Sequence, residues 1–167
     1  GLPETVIVVD ESITAVRAMD SFDYRSPGDY YSGRGGGIGQ GLAGAIGVSV
    51  AHAHRRIVAV SGDGSAMYSI QALWTAAHYA LPILFVILAN RQYRVLKLNM
   101  DTYRRRFNVS IYRPYPHMDL AAPGLRFTDM ARGMGVLAIS VDSAETLRDG
   151  LKDALKTSGP FVVEISV

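Results

Sequence analysis

Two short apolar runs end in polar residues suited to a single ligand. Ile57 to Ser61 leads into Gly62-Asp63-Gly64-Ser65, and Ile83 to Ala89 leads into Asn90-Arg91-Gln92. Asp63 and Asn90 stand 27 positions apart, about the length of one strand–helix–strand unit. Neighbouring parallel strands joined in this way deliver a carboxylate and an amide oxygen to the same sheet edge. A hard cation such as magnesium takes such oxygens and keeps places for waters and substrate phosphates. The flanking glycines let the backbone approach an anion closely.

The rest of the chain repeats the alternation. Val6-Ile7-Val8-Val9 reads as a buried strand, followed by Asp10-Glu11-Ser12 and a helical stretch from Ile13 to about Met19. Ser26-Pro27-Gly28-Asp29 reads as a turn. A glycine-rich loop from Gly33 then enters a small-residue helix over 39–53. Tyr68 to Ala80 carries Ile70, Leu73, Trp74 and Ala77 at helical spacing and stops at Leu81-Pro82. Over 91–108, Val95, Leu96 and Leu98 suggest only a short helix, and Arg104-Arg105-Arg106 reads as solvated. Residues 112–124 hold three prolines and read as loop. A helix over 127–134, a strand over 136–141, a helix capped by Ser143 and a strand over 161–167 complete the chain. Thr146, Leu147, Leu151, Ala154 and Leu155 form the apolar face of that capped helix. This pattern predicts an α/β fold, doubly wound, with a mostly parallel sheet and helices on both faces. Ligands in such folds bind beyond the carboxyl ends of the strands, where Asp63 and Asn90 fall.

Bulk properties narrow the partners. The 167 residues suffice for one domain, and a net charge of +2 is too small to argue for nucleic acid or an anionic membrane. No cysteine is present, so thiolate metal sites and disulfides are excluded. No apolar run approaches the ~20 residues of a membrane span. The first residues lack the features of a signal peptide, so a cytoplasmic protein is expected. They also lack an initiator methionine, and the chain is expected to be a piece of a longer protein.

The best ligand for the strand-end residues is a diphosphate escorting a divalent metal. Asp63 supplies a charged oxygen, Asn90 a neutral one, and Gln92 a third, for which its main-chain carbonyl is favoured because it needs no particular side chain. Amides of Gly64 and Ser65 face the phosphate at the start of the next helix. Gly35-Gly36-Gly37-Ile38-Gly39 offers a backbone ledge for a flat ligand, with Ile38 able to prop a ring. An alternative is a nicotinamide dinucleotide site, since Gly39-Gln40-Gly41-Leu42-Ala43-Gly44 fits the glycine fingerprint. That fingerprint should follow a buried strand directly, and here it follows glycines. A non-catalytic assembly module is the other alternative. His52, His54, His78 and His117 show no metal-ligand spacing.

Gly62-Asp63-Gly64, followed by Asn90, resembles the thiamine diphosphate motif. The segment Gly-Asp-Gly-Ser-Ala-Met-Tyr-Ser-Ile-Gln-Ala-Leu-Trp-Thr-Ala-Ala-His-Tyr, Gly62 to Tyr79, resembles the carboxy-terminal diphosphate-binding domain of the benzoylformate decarboxylase family. The similarity runs from about Val6 to Val167. It implies that Asp63, Asn90 and Gln92 are magnesium ligands and that Gly62, Gly64, Ser65 and Tyr93 cradle the diphosphate. It implies that the Thr14 hydroxyl touches the diphosphate, that the ledge around Gly36 and Gly37 receives the aminopyrimidine through the Gly36 carbonyl, and that Ile38 bends the cofactor. Val95, Leu96 and Asn99 match substrate-pocket positions. No catalytic residue is expected in this chain, because the family's glutamate sits on a pyrimidine-binding domain of the same or another subunit. The substrate implied is a small 2-oxo acid, and the full-length enzyme is expected to be a homo-oligomer. A decarboxylase is the first expectation, and an acetolactate synthase or carboligase of the same family stays open. Two departures stand out: Ala89 where the family often has asparagine, and Arg91 where it often has glycine.

Overall fold

Apolar, β-branched runs without a charge are stable only where both faces are covered, and these runs form the interior of one sheet. The computed structural model describes residues 6–33, 35–110, 115 and 117–167. The strands are β1 (Ile7–Glu11), β2 (Tyr30–Ser32), β3 (Ile57–Gly62), β4 (Ile83–Ala89), β5 (Leu137–Val141) and β6 (Phe161–Ser166). All neighbours are parallel, in the order β2-β1-β3-β4-β6-β5. The chain leaves β1 towards β2 and returns across it to β3, so the crevice between the β1 and β3 carboxyl ends is a topological switch point.

Alternate side chains of each strand face opposite layers. On one face Ile7, Ile57 and Phe85 pack against Leu42 and Ala45 of α1 (Gln40–Ala51) and Leu73 and Ala76 of α3 (Ala72–His78). Phe127 and Ala131 of α5 (Phe127–Gly133) complete that layer. On the other face Val8, Val58 and Leu84 pack against Met19 of a 3-10 helix (Ile13–Ser21) and Ala154, Leu147 and Leu151 of α6 (Ala144–Lys156). The doubly wound, all-parallel arrangement is the one expected.

Several local expectations are corrected. The helix expected over 68–80 is instead confined to α3, with a turn over 67–71 before it and a short α2 (Asp63–Ala66) that was not expected. Trp74 is 56% exposed and stacks on His78, whereas Leu73 is buried and Ile70 and Ala77 pack against the core as expected, joined by Ala72 and Ala76. The segment read as ambiguous forms α4 (Arg94–Phe107), fourteen residues that include the arginine triplet and none of which is buried. Helix propensity of Arg, Lys, Leu and Met sustains it without a buried stripe. β2 has too short a run to show in the sequence. Thr146 closes a reciprocal capping box with Ser143 rather than joining the apolar face of α6. Residues 1–5, 34 and 111 lie outside the described residues, as do 112–114 and 116 of the proline-rich loop. The described remainder of that loop bridges Asp119 to Gln92 and Ala121 to Gly124. Among the described residues no helix is long and apolar enough to cross a membrane.

Candidate cofactor and metal site

β1 runs past its apolar residues into Asp10, Glu11 and Ser12, all buried. The Glu11 carboxylate accepts from the amides of Gly39 (2.7 Å), Gln40 (2.9 Å) and Gly41 (3.1 Å) at the start of α1. Three amides and the helix dipole favour an anion there, and the protein supplies its own. A Cβ on Gly41 would lie 2.9 Å from Glu11 Oε2, so that position admits only glycine. The glycine pattern that mimics a dinucleotide fingerprint therefore serves Glu11, which removes the structural basis for the nicotinamide alternative. Glu11→Ala strands these amides, and a loss of about 2–3 kcal/mol is expected. Thermal unfolding should show Tm falling by about 5–10 °C; an unchanged Tm would contradict this role.

Asp10 is likewise committed. It accepts from Ser12 N at 2.8 Å and from the Tyr30 hydroxyl at 2.8 Å. Burial and this carboxylate push the Tyr30 phenol up to about 12.

At the ends of β3 and β4 the expected pair emerges together. Gly62 stands opposite Leu88 in the ladder, so Asp63 and Asn90 leave the same edge one residue out of step. Asp63 is 2% exposed. Its Oδ1 accepts from Gly64 N at 2.8 Å and its Oδ2 from Arg91 N at 2.6 Å. Burial raises its carboxyl above the usual range, against the pull of those amides and of the Arg91 charge. Among the described residues it has no ion pair. Asn90 Oδ1 accepts from Gln92 N at 3.0 Å in a local turn. The Gln92 side-chain oxygen accepts from Lys97 Nζ at 2.8 Å, while its main-chain carbonyl accepts from Arg94 N at 2.9 Å and keeps a second lone pair. A Cβ on Gly64 would lie 2.9 Å from the Tyr93 ring, so glycine is what lets that ring close over the turn.

Two adjoining cavities gather the residues expected to hold metal, cofactor and substrate. One, of about 290 Å³, is lined by Thr14, Ile38, Gly62, Asp63, Gly64, Ser65, Asn90, Gln92, Tyr93, Val95 and Leu96. The other, of about 500 Å³, is lined by Gly36, Gly37 and Asn99 and shares Ile38, Val95 and Leu96 with the first. Sequence reasoning missed Ser12, Ile13, Tyr68 and Arg94 in the first cavity, and Asp10, Glu11, Tyr30, Ser32 and Gly33 in the second; His117 also lines the first. Glu11 had a signal, because an acid directly after a buried strand arrives at the ligand edge. Ser12 is 3% exposed and its hydroxyl has no hydrogen-bond partner among the described residues although it lines both cavities. An orphaned buried hydroxyl calls for an external partner. No cluster of three His, Cys, Asp or Glu side chains exists among the described residues, and the oxygens of Asp63, Asn90 and Gln92 are donors that could hold a metal at this edge. One carboxylate and two neutral oxygens leave a magnesium ion room for phosphate oxygens.

A buried acid, an amide oxygen and a glycine turn under an aromatic lid, at the carboxyl edge of a doubly wound sheet, define a diphosphate-binding domain. The family described as thiamine pyrophosphate enzyme, C-terminal TPP binding domain, matches residues 6–165, and the chain belongs to it. Benzoylformate decarboxylase of Pseudomonas aeruginosa is 37% identical over 98% of this chain and 29% of its own length. The acetolactate synthase large subunit of Porphyra purpurea is 35% identical over 79% of this chain and 21% of its own. The structure of the thiamine diphosphate-dependent 4-hydroxybenzoylformate decarboxylase of Rhodococcus jostii RHA1 superposes with a TM-score of 0.86 at 32% identity, covering 100% of this chain and 30% of that one. The chain thus spans about a third or less of the length of these relatives.

Proposed function

We propose that this chain binds thiamine diphosphate through magnesium, in the service of 2-oxo acid decarboxylation of the benzoylformate decarboxylase type. The observation that carries the reading is the buried Asp63 carboxylate, without an ion pair among the described residues, lining one cavity with Asn90 and the orphaned Ser12 hydroxyl. Asp63, Asn90 Oδ1 and the Gln92 carbonyl would hold the metal. Amides of Gly64 and Ser65 would face the diphosphate, with Gly62 and Tyr93 on either side and the Thr14 hydroxyl within the same cavity. Gly36, Gly37 and Ile38 would receive the ring system, and Val95, Leu96 and Asn99 would shape the substrate end. When bound, thiamine diphosphate supplies a carbon nucleophile and an electron sink for loss of carbon dioxide from a 2-oxo acid. The chain's own residues bind, orient and neutralise; the proton-handling glutamate and the pyrimidine-binding domain would come from elsewhere in a larger, oligomeric protein. Acetolactate synthesis is the second reading, supported by the 35% identity to the Porphyra enzyme.

Thermal unfolding with added cofactor tests the reading. Thiamine diphosphate with magnesium should raise Tm by about 5 °C or more at saturating concentrations, and neither component alone, nor NAD, should match it. The effect carries a pH signature. Asp63 keeps its proton to higher pH in the folded state than in the unfolded chain. Its contribution to metal-free stability is therefore full below the unfolded carboxyl pKa and is lost as pH rises through the raised, folded one. The metal takes only the ionised form, so the magnesium-dependent rise in Tm should be larger at about pH 7.5 than at about pH 5. Equal stabilisation by NAD, or by thiamine diphosphate without any divalent ion, would sink the proposal.

A further inference from the structure

Arg91 separates Asn90 from Gln92 and has φ 57, a left-handed conformation that disfavours any residue bearing a Cβ. Such a conformation persists when its surroundings over-determine it, and here they do. The Arg91 N–H donates to Asp63 Oδ2 at 2.6 Å, and its carbonyl accepts from Leu120 N at 2.8 Å. One guanidinium nitrogen pairs with Glu164 Oε1 at 2.5 Å, and another donates to the Leu125 carbonyl. Glu164 is 3% exposed, within the apolar run of β6, and its second oxygen accepts from Thr128 N at 3.4 Å near the start of α5. A carboxylate so deeply buried needs its charge partner. Arg91 lines neither cavity, so it reaches a ligand only through its neighbours.

The direction of the backbone at residue 91 sets how the Asn90 amide and the Gln92 carbonyl point relative to each other. The same residue fixes one oxygen of Asp63. We propose that Arg91 is a positioning residue: anchored on Glu164, it holds the left-handed turn that keeps the oxygens of Asp63, Asn90 and Gln92 in one arrangement for a divalent cation. Glu164 cancels the guanidinium charge, so the clamp does not repel the ion it organises. The inference rests on the magnesium reading given above.

Magnesium titration calorimetry on the full-length protein, at saturating thiamine diphosphate, tests it alongside Tm measured without metal. Arg91→Met keeps the backbone strain and removes the clamp, and it should weaken magnesium binding about tenfold or more. Arg91→Gly removes the clamp and the strain together, and its loss should be smaller, about threefold. The double variant Arg91→Met/Glu164→Leu replaces the ion pair by apolar groups; its Tm should return close to the parent's while magnesium binding stays about tenfold weak. That split separates positioning from mere neutralisation of Glu164. Binding by Arg91→Met within twofold of the parent, or affinity that recovers together with Tm in the double variant, would overturn the inference. Should Arg91→Met alone not fold, the double variant decides. A parent protein that takes up no magnesium would instead overturn the site reading itself, and the inference with it.

Discussion

Asp63→Ala is expected to remove the magnesium-dependent stabilisation by thiamine diphosphate almost entirely. Asp63 is the one charged oxygen in the proposed donor set, and its carboxylate is buried and already oriented by the amides of Gly64 and Arg91. Two unit charges about 4 Å apart interact by about 4 kcal/mol at an effective dielectric near 20, so the loss should reach about two to three orders of magnitude in magnesium affinity. The variant's metal-free Tm should fall little, because deletion also removes the cost of burying the carboxylate. Calorimetry and cofactor-dependent Tm shifts measure both quantities. An Asp63→Ala variant that binds magnesium within threefold of the parent would remove the basis for the proposed function.

The second large effect concerns turnover. The carboxylates lining the two cavities, among the described residues, are Asp10, Glu11 and Asp63. Asp10 is held by Ser12 N and the Tyr30 hydroxyl, Glu11 by three α1 amides, and Asp63 by the amides of Gly64 and Arg91. None is free to exchange protons with a bound cofactor. General acid–base participation contributes about 10²–10⁴-fold in rate, so the chain on its own should show no decarboxylation of benzoylformate above background. Adding the pyrimidine-binding domain in trans should restore it. Carbon dioxide release measured with and without that domain decides; turnover by this chain alone would refute the division of the site between domains.

Much of this arrangement was legible in the residues, for identifiable reasons. Asp63 and Asn90 each follow an uninterrupted apolar run, and parallel crossover geometry returns both to one edge. The capping residue Ser143 and the break at Pro82 act within a few residues of themselves, so their effects are local and readable. The errors have the opposite character. Tyr68 to Ala80 has helical spacing throughout, yet the chain leaves β3 directly into α2, and a regular helix resumes only at Ala72. α4 is polar on average and has no fully buried residue, so no continuous apolar stripe marked its full length. Glu164 stands as a lone charge inside an apolar strand, which signals a buried partner but does not name Arg91, 73 residues away.

By itself, then, the order of residues determined the apolar runs that become β1, β3, β4, β5 and β6, that the sheet is parallel, and which two side chains arrive at its carboxyl edge. These follow from burial periodicity and chain reach, which are local properties. Only the tertiary structure decided that Glu11 fills the start of α1, that Ser12 keeps an unpartnered hydroxyl between the two cavities, and that Arg91 is locked to Glu164. Those pairings depend on where non-adjacent strands and turns come to rest, a matter of three-dimensional packing to which spacing along the chain is blind.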